Sequence, residues 1–164
     1  MNWAKLIKSL LVTLPCVLIA CNTGENNIHL KTMDLLEYGI PITIEVPDSA
    51  KVKTMDWGIQ KDISIGGAPG YSLQIFSSQV STHDMAVAIK DLRQTVEDGV
   101  YFSKFIKEDT DGFIFEMMID TVINYDFRHL KIQGDREYLF QAGMSDTFTR
   151  EEIEKLYDVA KKAR

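Results

Sequence analysis

The sequence predicts an α+β domain built on a central antiparallel β-sheet with helices packed on its faces, an α/β/α-type sandwich. Three observations carry this expectation. Elements follow one another as strands, helix, four strands, helix. The last four strands are separated by turn signals, which join antiparallel neighbours. Several of those strands carry apolar residues on both faces, as expected if a helix covers each side of the sheet. A chain of 164 residues, 45% hydrophobic and 26% charged, suits one such domain with a real core.

The chain opens with Lys5 and Lys8, then an apolar run of eleven, Leu10 to Ala20, with no acid before Glu25. This is the pattern of an export signal. The run is well short of the roughly 18 residues that a spanning helix needs. Its end, Leu18-Ile19-Ala20-Cys21, resembles the lipobox of bacterial lipoproteins. The resemblance implies that a diacylglycerol joins the Cys21 sulfur and that cleavage falls between Ala20 and Cys21. It also implies acylation of the new amino group, for instance with palmitate. Each buried methylene adds about 0.8 kcal/mol, so two or more chains hold firmly where one holds marginally. The covalent lipid is the only attached group expected, with no cofactor and no metal. Residues 1–20 are thus expected to be a signal peptide, 21–34 the lipidated cysteine and a polar tether, and 35–164 the domain.

Two consequences follow for composition. Cys16 leaves with the signal and Cys21 carries lipid, so the mature domain has no thiol for a disulfide, a thiol enzyme or a cysteine metal site. Loss of residues 1–20 removes two lysines and no acid, moving the formal charge from −6 to −8. Such a domain repels nucleic acid and anionic headgroups, and no basic run overrides that.

Within the domain, Ile42, Ile44 and Val46 alternate with polar residues and mark a half-buried strand closed by Pro47-Asp48. A second and third strand are expected within residues 52–65 and 71–80, with the Gly66–Gly70 cluster "GGAPG" as the turn between them. Met85, Ala88, Ile89, Leu92 and Val96 then fall at helical spacing. Ser81 or Thr82 is the expected N-cap, Asp84 lies in the first turn and Gly99 stops the helix.

Four strands are expected from Phe102 to Gly143, turning at "DTDG" (Asp109 to Gly112), in a looser "DTVIN" connection, and at "QGDR" (Gln133 to Arg136). Gly134-Asp135 fits a two-residue type II′ loop, which would set Phe127 opposite Ala142, His129 opposite Phe140, Lys131 opposite Tyr138 and Leu130 opposite Leu139. The "DTDG" turn admits a two-residue or a three-residue loop, and the choice decides which faces Phe105 and Ile106 take. The last helix has a capping box at Thr149 and Glu152 and an apolar stripe of Ile153, Leu156, Tyr157 and Ala160, with Lys161 and Lys162 at its C-terminus. This element order, with phrases such as "IPITIEVP", resembles the PsbP-like fold group and its DcrB-like bacterial lipoproteins. What that resemblance implies concerns architecture and not activity.

Chemistry is sparse. The sequence has no HExxH, GxSxG, phosphate-loop or dinucleotide motif. "DTDG" lacks the third acid and distal Glu of a calcium loop, leaving weak calcium binding by Glu108, Asp109 and Asp111 as the most it offers. His29, His83 and His129 show no ligand spacing. On one strand face, Glu116 and Asp120 would stand about 13 Å apart, beyond the roughly 9.5 Å limit of an inverting glycosidase pair, and read as solvated sheet-edge carboxylates. Trp57, Tyr71 and Tyr101, each beside a loop, form the candidate contact surface, and Met117 and Met118 could line an adaptable pocket.

The function expected is therefore a membrane-anchored extracytoplasmic lipoprotein, a non-catalytic binding or accessory factor of the cell envelope or periplasm with an envelope protein as partner. A hydrolase would instead need a pocket joining His129 or His83 to a carboxylate, and a structural envelope component would need a partner face without a pocket. Asn22 is not the aspartate associated with inner-membrane retention, which favours the outer membrane.

Overall fold

The structure is a computed structural model that describes residues 29–144 and 146–164. The signal segment, the lipobox with Ala20 and Cys21, and the polar tether up to residue 28 lie outside the described residues. The described residues form nine strands, two α-helices and one 3-10 turn.

Strands β1 (Leu30–Asp34) and β2 (Thr43–Pro47) pair antiparallel, with the 3-10 turn Leu36–Tyr38 between them. β1 thus takes up residues 30–34, the last five of the stretch assigned above to the tether. β2 buries Ile44 and Val46 and exposes Glu45, as the alternation requires. The next segment departs from expectation, because residues 52–65 hold a hairpin in place of one strand: β3 (Lys51–Asp56) and β4 (Gln60–Ala68). The turn is fixed by the Asp56 carboxylate accepting the Gly58 N–H at 2.9 Å, with Gly58 at φ 82°, a conformation that favours glycine. β4 absorbs Gly66 to Ala68 through an irregularity, which leaves only Pro69-Gly70 as the turn into β5 (Tyr71–Gln79).

Helix α1 (Met85–Glu97) is capped by Asp84, whose Oδ1 accepts from the N–H groups of Ala86 (3.0 Å) and Val87 (3.3 Å). Neither Ser81 nor Thr82 caps it; the Thr82 hydroxyl instead accepts the Asp84 N–H at 3.1 Å and sets the entry. β6 (Phe102–Asp109) and β7 (Gly112–Ile119) pair Asp109 with Gly112, so the loop has two residues. Irregularities between residues 102 and 104 and between 105 and 107 then divide neighbours: Phe105 joins the core under α1 and Ile106 the core on the other side. β7 turns into β8 (Val122–Gln133) over just Asp120-Thr121, with Asp120 at φ 56°. The looser "DTVIN" connection is therefore a tight turn whose Val122 and Ile123 already belong to β8. β8 and β9 (Arg136–Ala142) pair His129 with Phe140, Leu130 with Leu139 and Lys131 with Tyr138, as the Gly134-Asp135 loop predicts. Phe127 and Ala142 do not complete the ladder, because Asp126 Oδ1 takes the Ala142 N–H at 3.0 Å. Nearby, Asn124 Oδ1 takes the Phe148 N–H, so two buried side chains satisfy backbone donors where β9 stops short. Helix α2 (Arg150–Lys162) carries the full Thr149–Glu152 capping box.

The larger sheet runs β3-β4-β5-β9-β8-β7-β6, antiparallel throughout. One face packs Ile63, Leu73, Ile75, Ile114, Phe127 and Phe140 against α2 and the β1-β2 pair. The other packs Phe113, Phe115 and Leu130 against Ala88 and Ile89 of α1. Gly112 permits the first of these cores, since a Cβ there would collide with the Arg128 carbonyl and the Tyr157 hydroxyl. The molecule has two ends along the strands. The apical end carries the β3-β4, β6-β7 and β8-β9 turns and the C-terminus of α2; the basal end carries Pro69-Gly70, the β7-β8 turn, the entry to β6 and residue 29.

Candidate functional site

The basal end holds the most unusual surface. Met118 pairs with Ile123 on one face of the β7-β8 tip, and Ile119 pairs with Val122 on the other. Beside them, Tyr101 accepts the Met118 N–H on its carbonyl at 2.8 Å, and Val100 precedes it. All six side chains are exposed. Soluble surfaces scatter single apolar residues, whereas a contiguous group marks a contact site. Just behind the tip the polar groups are satisfied internally: the buried carboxylate of Glu116 accepts from Ser103 (3.0 Å) and Tyr125 (3.3 Å), with Lys104 at 3.4 Å. Burial pushes this carboxyl upward, but those hydrogen bonds and the lysine outweigh it and hold it below the usual range. Glu116 is therefore not a solvated sheet-edge group, and Asp120 sits apart from it in the turn.

The three aromatic candidates are not brought together. Tyr101 belongs to the basal tip. Trp57, 63% exposed, stands at the apical β3-β4 turn on the opposite edge of the sheet, with its indole N–H on Asp62 at 3.3 Å. Tyr71 is only 4% exposed and donates to the Glu45 carbonyl at 2.7 Å; burial raises its phenol above the ordinary value. Tyr71 therefore closes the core under β2 and leaves the proposed contact surface. Met117 packs under α1 while Met118 reaches the tip, so the two do not line one pocket.

Sequence reasoning passed over Val122 and Ile123, although the signal was present: "MMIDTVI" places apolar residues symmetrically about Asp-Thr, as a hairpin tip does.

The titratable groups at the apical end are buried or paired with one another. His129 is 5% exposed, wedged between Phe140 and Tyr157, with Nδ1 3.9 Å from Asp111 Oδ2 and no hydrogen-bond partner. Burial lowers its pKa, opposed by the Asp111 carboxylate. Such a ring is inaccessible to a substrate. Asp109 is already claimed by Lys161 (2.7 Å) and the Tyr157 hydroxyl (3.0 Å), which hold it below the carboxylate range. Glu108 turns to the other face and pairs with Arg93 at 2.5 Å. Glu108 and Asp109 thus diverge, and among the described residues no three His, Cys, Asp or Glu side chains are grouped to hold a metal. His29 pairs with Asp48 on the surface, and His83 lies 3.3 Å from the Gly134 carbonyl.

No protein-family model matches this chain, and no curated protein matches it. A cleft of about 250 Å³ at the apical end, between β2 and the C-terminus, is lined by Thr32, Thr43, Ile44, Glu45, Lys162 and Arg164. Its charged groups are of mixed sign, and it is far from the basal tip. Among the described residues no helix is long and apolar enough to cross a membrane.

Proposed function

We propose that the chain is a membrane-anchored extracytoplasmic lipoprotein whose α+β domain is a non-catalytic binding or accessory factor of the cell envelope. The observation that carries this reading is Leu18-Ile19-Ala20-Cys21, closing an apolar run too short to span a bilayer. Two features of the domain support it. His129, the histidine nearest a carboxylate in the core, is sealed from substrate, which counts against the hydrolase alternative. The exposed apolar group at the basal end is the kind of surface a contact protein offers. An antiparallel sheet with a helix on each face also fits the PsbP-like group and its DcrB-like lipoproteins, which the order of elements resembles. Asn22 favours the outer membrane as the address.

Cys21→Ala tests the anchor. The wild-type protein is expected to stay with the membrane fraction through high-salt and carbonate washes, and the variant to be released. A variant that remains bound after both washes sinks the reading.

A further inference from the structure

We propose that the basal β7-β8 tip is a second membrane contact, which lays the base of the domain on the lipid surface and turns the apical end outward. This rests on the lipoprotein reading for the first contact.

Position is the first support. Of the thirteen large apolar side chains exposed among the described residues, eight lie at the basal end: the six of the tip with Leu30 and Met144. Residue 29 enters at this same end, because Leu30 pairs with Pro47 and the Asp48 N–H is bound to the His29 carbonyl. Ser49 is beside Gly67, which fixes β2's exit against the base of β4. The eight residues from Cys21 to Ile28 span at most about 29 Å when extended. β4 and β7 are four strand spacings apart, about 19 Å. A lipid on Cys21 therefore leaves the tip well within reach of the surface that holds it.

Shape is the second. The tip is a hairpin end with a two-residue turn, apolar on both faces, with Met118 and Ile123 on one and Ile119 and Val122 on the other. A flat protein partner would cover one face and leave the other wet, whereas a soft interface surrounds both. The backbone at the tip is already paired between Ile119 and Val122, so entering an apolar layer strands few hydrogen-bonding groups. Tyr101 flanks the aliphatic residues, a side chain with an apolar body and a polar end that suits the headgroup level. Asp120 in the turn limits the depth: its carboxylate stays among headgroups, and the contact is interfacial.

The mature chain has a single tryptophan, Trp57, at the opposite end, because Trp3 lies in the signal segment. This supplies a built-in reference. Mature protein is bound to phosphatidylcholine vesicles containing brominated lipid, and its fluorescence is compared with that of a Trp57→Phe, Ile123→Trp variant. The tip tryptophan is expected to shift to the blue and lose intensity to the bromines, while Trp57 in the wild type does neither. Vesicle-bound protein whose tip tryptophan is as unquenched as Trp57 overturns the proposal. Equal quenching at both positions overturns it too, since the domain would then have no fixed orientation. Intact mass separates the two ideas: a Cys21 without acyl groups defeats the lipoprotein reading alone. In that case the same chains are held on nickel-chelating lipid through an N-terminal histidine tag, and the tip is judged by the same quenching. Far-ultraviolet circular dichroism and a thermal melt of the free protein check that the variant keeps the fold, as expected for changes at two exposed residues.

Discussion

The two helices are equally long, thirteen residues each, yet they seal the sheet very differently. α2 buries Ile153, Leu156, Tyr157, Val159 and Ala160, and its face is completed by Ile44 and Val46 of β2 with Ile42 just before it. α1 buries only Ala88 and Ile89, over the half of the opposite face formed by β6, β7 and β8. The other half of that face carries polar side chains, including Asp62, Ser64 and a buried pair in which Gln141 donates to Gln74 at 3.3 Å. One face is thus a closed core of two layers and the other a small apolar island beside a polar field. A sheet needs one such closed core to be stable, which leaves the second face free to vary.

The sharpest test compares one leucine with one isoleucine. Leu156 is almost fully buried in the larger core, and Leu156→Ala is expected to cost about 2–5 kcal/mol. Ile89 sits at the rim of the smaller one, so Ile89→Ala is expected at about 2 kcal/mol or less. Urea denaturation of both variants measures the difference, and equal losses would show that the island is as tightly packed as the closed core.

This asymmetry was only half legible in the sequence. α2 announces itself through Thr149, Glu152 and its apolar stripe, and the β8-β9 pairing through Gly134-Asp135, because caps and tight turns are local chemistry. Phe105 and Ile106 could not be placed, since the irregularities in β6 that send them to opposite faces depend on pairing with β7. Tyr71 looked like a surface aromatic because nothing local says that β2 crosses above it and receives its hydroxyl. The basal tip is hard to see because the Asp120-Thr121 turn has no glycine and Asp120 itself takes φ 56°, and the β3-β4 hairpin because its turn is held by an Asp56 side chain whose acceptor role shows only once the chain is folded.

Acid should act through the closed face. His129 projects into it against Phe140 and Tyr157, with Asp111 from the β6-β7 turn and Lys131 and Lys161 as its charged neighbours. Burial lowers its folded pKa below the ordinary 6.5, so the unfolded chain binds the proton more readily. Its contribution to stability is full above pH 6.5 and is lost as pH falls from there through the lowered folded value. His129→Phe keeps an aromatic ring in contact with Phe140 and Tyr157 and is expected to flatten stability against pH in that window. Thermal melts from pH 7.5 downward check this, and an unchanged slope in the variant would assign the acid sensitivity to other groups.

The smallest effects belong to the helix caps, and they separate the faces by kind of loss as well as size. Thr149→Ala removes one half of a reciprocal capping box, and Asp84→Ala removes an acceptor of two N–H groups; each is expected to cost about 1 kcal/mol of helix stability. Where that cost appears depends on how firmly the helix is bound to the sheet. α2 cannot leave without exposing the closed core, so Thr149→Ala should lower global stability and raise exchange of core amides in β8 along with those of α2. α1 covers little, so it opens locally at lower free energy than the whole domain. Asp84→Ala should therefore speed amide exchange in α1 while the β8 amides keep their wild-type rates. Acceleration in β8 by both variants would mean that α1 and α2 unfold with the sheet as a single unit, and the contrast between the two faces would be one of area alone.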